Sequence, residues 1–307
     1  MRKAFVQTLV RLAEGDPRIV LLTGDLGYLA LEPFEEKFPK RFFNVGVAEQ
    51  NMIGLATGLA EAGFVAFVYS IVPFAVLRPC EFIRNGPVLH RLPVRIVGIG
   101  GGFDYGPNGF THYGLEDLAT LRALPGISIF APADSLQATS VVQQTWNLPG
   151  PVYYRLGKDD GLVVDGLDGR FAPGRLQIVR DGGQIALVST GGISAEAAQA
   201  AGLLAKAGHN PTFAVLASVQ PAPIGDLLGL LERHQVVLTV EAHSIHGGIG
   251  SLIAEVIAEN GLSCRLVRCG VRAGGDGRTG SQPWLHEQHG LSASRIANTA
   301  FAALQAS

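Results

Sequence analysis

Residues 41–63 read "RFFNVGVAEQNMIGLATGLAEAG", and one carboxylate in them stands out. An apolar run ends and a helix begins at Glu49. Val45, Gly46, Val47 and Ala48 precede it, and Met52, Ile53 and Leu55 follow. One reading is a helix cap, because exposed amides and the macrodipole favour an acid in the first turn. The other is a buried acid used in chemistry, since desolvation suits a carboxyl to share a proton. The run-to-helix junction also sets the expectation for the fold, because the same alternation recurs on both sides of it.

Short β-branched runs at 18–26, 64–70, 93–101, 127–134 and 151–157 read as buried strands. Between them, 48–63 and 135–147 read as helices. Strands alternating with helices predict an α/β chain with a mostly parallel sheet covered on both faces. Forty glycines, roughly twice the usual share, suit many tight strand–helix turns. Composition shifts over 158–184, "KDDGLVVDGLDGRFAPGRLQIVRDGGQ", which is rich in Gly and Asp and reads as a linker with room for a short strand pair. Alternation then restarts, with strands at 185–190, 212–218, 235–241 and 263–269. Helices at 194–207, 224–234, 248–260 and 292–304 accompany them. The expectation is two mostly parallel-sheet α/β domains, 1–160 and 185–307, joined by a linker at 161–184.

The chain has 307 residues, of which 47% are hydrophobic and 16% charged. That is a well-buried globular composition, and little surface charge also fits a chain that covers part of itself with a partner. A net charge of −2 argues against nucleic-acid binding. The start, "MRKAFVQTLVRLAEGDP", reads as an amphipathic helix and not a signal peptide. "GFVAFVYSIVPFAVL" is too short to span a membrane and contains Pro73. Cys80, Cys264 and Cys269 have no metal-site or disulfide spacing, which points to a reducing cytoplasm and no protein metal site.

The stretch 41–63, together with "THYGLEDLATLRALPGISIFAPAD" and "GPVYYRLG", resembles the pyrimidine-binding domain of transketolases. "VVLTVEAHSIHGGIGSLIAEVIAENG" resembles their C-terminal domain. The resemblance covers nearly the whole chain and implies thiamine diphosphate chemistry. In that family the glutamate of the G-x-x-E turn meets N1′ of the cofactor's aminopyrimidine, and Glu49 matches it. A proton shared there activates the cofactor's carbon nucleophile. Phe74, in "YSIVPFAVLR", matches a ring that stacks on the cofactor, while Ile71 and Leu77 stand where the family has further rings. His112, in "GFTHYG", matches the histidine that meets substrate hydroxyl and carbonyl oxygens. Arg155 matches a phosphate-contacting arginine, whose fork suits phosphate or carboxylate. A salt bridge to Asp159, Asp160 or Asp165 is the structural alternative for that guanidinium.

Two positions depart from the family. Gly100 falls where a phosphate-contacting histidine is expected, and Asn108 replaces an acid before the T-H pair. Full-length members also carry an N-terminal domain that holds the diphosphate through Mg²⁺ with a GDG motif and a downstream Asn. "GGDG" at 274–277 with Asn298 does not reproduce that motif, because the spacing is short and no strand–helix context surrounds it. The resemblance therefore implies a split enzyme. A separate N-terminal subunit would hold the diphosphate and Mg²⁺, with the cofactor at the interface and a two-fold heterotetramer overall. The implied reaction is transfer of a two-carbon ketol unit between small sugars. A deoxyxylulose-phosphate-synthase-like or 2-oxo-acid-dehydrogenase β-like subunit is the alternative within the cofactor class. Asn51 and Tyr113 favour transketolase over both. A non-catalytic interaction subunit is the alternative of another class, against which the retention of Glu49, Phe74 and His112 argues.

Overall fold

The computed structural model describes residues 1–272 and 277–306. Among the described residues twelve strands run in chain order. They are β1 (Ile19–Thr23), β2 (Phe42–Asn44), β3 (Val65–Ile71), β4 (Val94–Ile99), β5 (Ser128–Phe130) and β6 (Val152–Leu156). The others are β7 (Gln177–Arg180), β8 (Ile185–Thr190), β9 (Thr212–Val215), β10 (Ser218–Gln220), β11 (Val236–Ser244) and β12 (Arg265–Val271). They form a seven-stranded sheet, β10-β5-β6-β4-β3-β1-β2, and a five-stranded sheet, β12-β11-β8-β9-β7. Both are parallel except at one edge each, where β10 pairs antiparallel with β5 and β7 with β9.

The central strands are buried along their whole length, which is why β1 reads Ile-Val-Leu-Leu-Thr without alternation. The helix Glu49–Glu61 covers one face with Met52, Ile53, Ala56 and Ala60, spaced at helical period and all buried. Asp134 starts the helix Ser135–Thr145 by accepting the Gln137 N–H at 2.8 Å.

Several short elements escape the sequence reading. β2 is three residues long and merges into the apolar run before Glu49. The expected strand 212–218 divides: β9 stays in the second sheet, while β10 crosses to close the edge of the first. Within the expected linker, β7 forms and pairs with β9. Residues 274–276 of the GGDG stretch lie outside the described residues.

Chain order places a switch point beside β1. β2 lies on one side of it and β3 on the other. Crevices at the carboxyl ends of strands at such a point are where open α/β sheets bind ligands. The turn after β2 leads to Glu49, and the turn after β3 leads to Phe74.

Candidate active site

Glu49 is the first residue of its helix, but its carboxylate caps nothing. The N-cap is Ala48, which makes no side-chain cap bond. The carboxylate instead accepts Nη1 of Arg78 at 2.5 Å and Oγ of Ser70 at 3.4 Å. Only 1% of Glu49 is exposed. Gly24, just past β1, lies beside it: a Cβ there would sit in van der Waals contact, 3.6 Å from its Cγ. Ends of β1 and β3 therefore enclose this acid, and one guanidinium closes it from outside.

Arg78 links Glu49 to the aromatic residue expected beside it. Its guanidinium carbon lies 4.4 Å from the centroid of Phe74, over the ring. The Phe74 ring also meets His112 edge-on, with centroids 5.1 Å apart and planes at 75°. Ile71, at the end of β3, is half-buried, and Leu77 is exposed. Glu49, Phe74 and His112 thus come together, with Ile71 and Leu77 on the same turn as Phe74. Arg78 is the member the sequence reading passed over. Its signal was position: four residues after Phe74, it emerges on the same side of the turn.

His112 rides on a loop pinched at its base, where the backbones of Gly102 and Gly114 exchange two hydrogen bonds of 2.8 and 2.9 Å. Gly102 has φ +68°, and a Cβ there would meet the Ala242 side chain at 2.6 Å, so only glycine fits. Within the loop, Thr111 Oγ1 lies 2.9 Å from His112 Nδ1. Tyr113 pins it to the C-terminal half by donating its hydroxyl to the Arg278 carbonyl at 2.8 Å. Asn108, on the preceding turn Gly106–Asn108, is exposed at the loop surface.

Gly100 lies against a ring, and Arg155 has internal partners. Gly100 has φ +84°, and a Cβ there would fall 2.2 Å from the ring of Tyr105. That ring fills the space a side chain at 100 would need. Arg155 is 4% exposed and lies in a buried network away from the Glu49 group. Its Nε donates to Asp117 at 2.8 Å, and its Nη2 donates to the Gly114 and Ala242 carbonyls at 2.7 and 3.0 Å. Burial lowers its pKa, but Asp117, Tyr153 and Asp104 together outweigh that and raise it. The fork expected to face a phosphate joins β6 to the end of β11 instead. Its acid is Asp117, and not the nearby Asp159, Asp160 or Asp165.

Glu241 and His243 continue this network along β11. Glu241 accepts the Ile249 and Gly250 N–H groups at 2.8 and 3.0 Å, at the start of the helix Ile249–Glu259. Burial pushes it up to about 7 despite those donors. Burial pushes His243 down to about 4.

Comparison with known proteins agrees with the geometry. Residues 1–161 match the transketolase pyrimidine-binding domain, and residues 174–296 match the transketolase C-terminal domain. The chain belongs to the transketolase family. It is 35% identical to an apulose-4-phosphate transketolase subunit of Actinobacillus succinogenes, over 88% of this chain and 87% of that protein. It is also 35% identical to a 6-deoxy-6-sulfo-D-fructose transketolase subunit of a Clostridium species, over 98% and 93%. A solved split-gene transketolase, an inactive β4 tetramer, is 34% identical with a TM-score of 0.87, over 99% of this chain and 97% of that one. Transketolases depend on thiamine diphosphate, and this chain is a transketolase-type subunit corresponding to the C-terminal half of the full-length enzymes.

The residues assembled here fit the pyrimidine end of that cofactor. Glu49 is a buried carboxyl at a strand-end crevice, and Phe74, Ile71 and Leu77 give an apolar wall beside it. Among the described residues no group of three or more His, Cys, Asp or Glu is arranged to hold a metal ion. Nor is any helix among them long and apolar enough to cross a membrane.

Proposed function

We propose that this chain is the β-type subunit of a split transketolase that moves a two-carbon ketol unit between sugars. A second subunit holds the diphosphate and Mg²⁺, and the two assemble as a two-fold heterotetramer. The observation that carries the reading is Glu49: an almost fully buried acid, free of any cap, at the switch point of the sheet. Relatives described as subunits of transketolases support the two-chain arrangement. Val47, just before the helix that Glu49 starts, Leu55 on it, and Leu77 and Phe82 after β3 are exposed apolar side chains, which suit a contact with another chain. Three free cysteines suit a reducing cytoplasm.

Bound thiamine diphosphate supplies a carbon nucleophile able to accept and release the ketol unit. With the cofactor bound, Glu49 would hold a shared proton at the pyrimidine end, and Arg78, now paired with that carboxylate, would have to give up the contact. Phe74, Ile71 and Leu77 exclude water from the ring. His112 sits beside Phe74 with its imidazole placed to hold substrate hydroxyl and carbonyl oxygens. Asn108, a neutral group where the family has an acid, relaxes the recognition of a substrate hydroxyl at the loop surface.

The named relatives act on sugars carrying a phosphate or a sulfonate. Those sugars are ketoses, the ketol donors of such a transfer, so an anion-bearing donor suits this chain as well, held differently from a substrate in ordinary transketolases, since Gly100 carries no side chain and Arg155 is spent internally. The deciding experiment measures ketol transfer by the chain alone and with its diphosphate-binding partner, with thiamine diphosphate and Mg²⁺ present. Transfer is expected only from the pair, and robust activity of this chain alone would refute the split arrangement.

A further inference from the structure

His112 lies on the loop between β4 and the helix Asp117–Arg122, and much of what holds that loop comes from the C-terminal half of the chain. His112 ends a short turn, Phe110–His112, whose first two residues are exposed. Its imidazole meets the edge of Phe74 and the Thr111 hydroxyl. Neither an aromatic edge nor a rotatable neighbouring hydroxyl fixes how far a side chain reaches, so the backbone beneath it has to.

Tyr113 follows with extended backbone, φ −74° and ψ 130°, which sends successive side chains to opposite sides. His112 turns to Phe74, and Tyr113 turns to the C-terminal half. The Tyr113 ring stands edge-on to Phe103 at 5.1 Å, and Phe103 is in turn stacked on His289 at 4.9 Å. The Tyr113 hydroxyl has one proton and two carbonyls in reach, Arg278 at 2.8 Å and Gly106 at 3.1 Å. One phenol thus joins the turn before His112 to a segment 165 residues further along the chain.

The same segment grips the loop a second time. The Gln282 side-chain amide donates to Asp104, and the Gly280 N–H donates to the Gly106 carbonyl at 3.4 Å. The two backbones lie so close that a Cβ at Gly106 would fall 2.3 Å from the Gly280 carbonyl oxygen. Contact at that distance leaves the loop no slack against residues 278–282.

We propose that the C-terminal half of the chain sets the reach of His112 into the site, and that Tyr113 is the positioning residue through which it does so. Tyr113 acts through His112, by fixing the backbone that His112 stands on. This inference rests on the transketolase reading and gives the C-terminal half a task in catalysis. Misplacing a substrate-holding group by about 1 Å costs up to about a hundredfold in rate.

The test uses Tyr113→Phe, which removes the hydroxyl and keeps the ring against Phe103, alone and combined with His112→Ala in the assembled complex. With D-xylulose 5-phosphate as donor and D-ribose 5-phosphate as acceptor, Tyr113→Phe should lower kcat about ten- to hundredfold. In the His112→Ala background the same change should cost less than about twofold, because the group it positions is gone. A second readout needs no turnover. NMR spectra of the full chain with ring-labelled histidine report its eight histidines. The His112 signal is identified by its loss in His112→Ala, and Tyr113→Phe should shift or split it. An unchanged kcat, losses that multiply in the double variant, or an unmoved His112 signal overturns the proposal. A parent complex that transfers nothing counts against the transfer reading, and the His112 signal then decides the positioning role alone.

Discussion

A glutamine at position 49 would keep the shape of the carboxyl and lose its capacity to share a proton. In the assembled complex, exchange of the cofactor's thiazolium C2 proton, followed by NMR, should slow by about 10²- to 10⁴-fold in Glu49→Gln. Thermal stability should change little, because the partner left behind, Arg78, is 39% exposed and can turn to water. Unchanged exchange would return Glu49 to a structural role. Asp117 behaves in the opposite way. Asp117→Ala leaves the Arg155 guanidinium buried without its acid and should cost about 3–5 kcal/mol of stability by urea denaturation. A loss below about 1 kcal/mol, typical of surface pairs, would contradict the network described above. These two acids also mark what a single sequence conveys about the site. Glu49 was legible because its apolar neighbours and helix start are local. The partner of Arg155 was not, because three aspartates lie close to it along the chain while Asp117 reaches it only through the packing of β6 against the start of the helix Asp117–Arg122. Tyr105 was equally hidden: the absence of a histidine at Gly100 was visible in the sequence, but the ring filling its place was not.

At the scale of elements, β11 and the helix that follows it carry two opposed titrations. Glu241 rises from 4.5 to about 7 on folding, so the native chain holds a proton that the unfolded chain releases. Its contribution to stability is present below about pH 4.5 and is lost as the pH rises through 7. His243 falls from 6.5 to about 4, so its contribution is present above 6.5 and is lost as the pH falls toward 4. Glu241→Gln removes the first of these alone. Relative to the parent, the variant should therefore gain stability as the pH is raised from about 5 to 7.5, by up to about 1.4 kcal/mol per pH unit. Denaturation curves at both ends of that range check it, and a difference independent of pH would show that the carboxyl does not titrate there. Element recognition from sequence follows the same logic of locality. Runs such as Val65–Ile71 announce themselves because both faces are buried and every residue is apolar or small. β7 and β10 do not, since each is only three or four residues long and forms because a distant edge offers it hydrogen bonds.

For the whole molecule, the two sheets share chain. β10 comes from the second half of the sequence and completes the first sheet, and Arg155 ties β6 to the end of β11. A fragment of residues 1–161 would leave the β5 edge unpaired and should be insoluble or aggregate on size-exclusion chromatography. A monomeric fragment with a cooperative melt would show that β10 is dispensable. The same sharing has a consequence during synthesis. β5 leaves the ribosome well before β10, and at about 5–20 residues per second the stretch from Phe130 to Ser218 takes on the order of ten seconds to appear. For that interval the nascent first sheet presents an open strand edge to its surroundings. Until β10 arrives, that edge is open to pairing with strands of other chains.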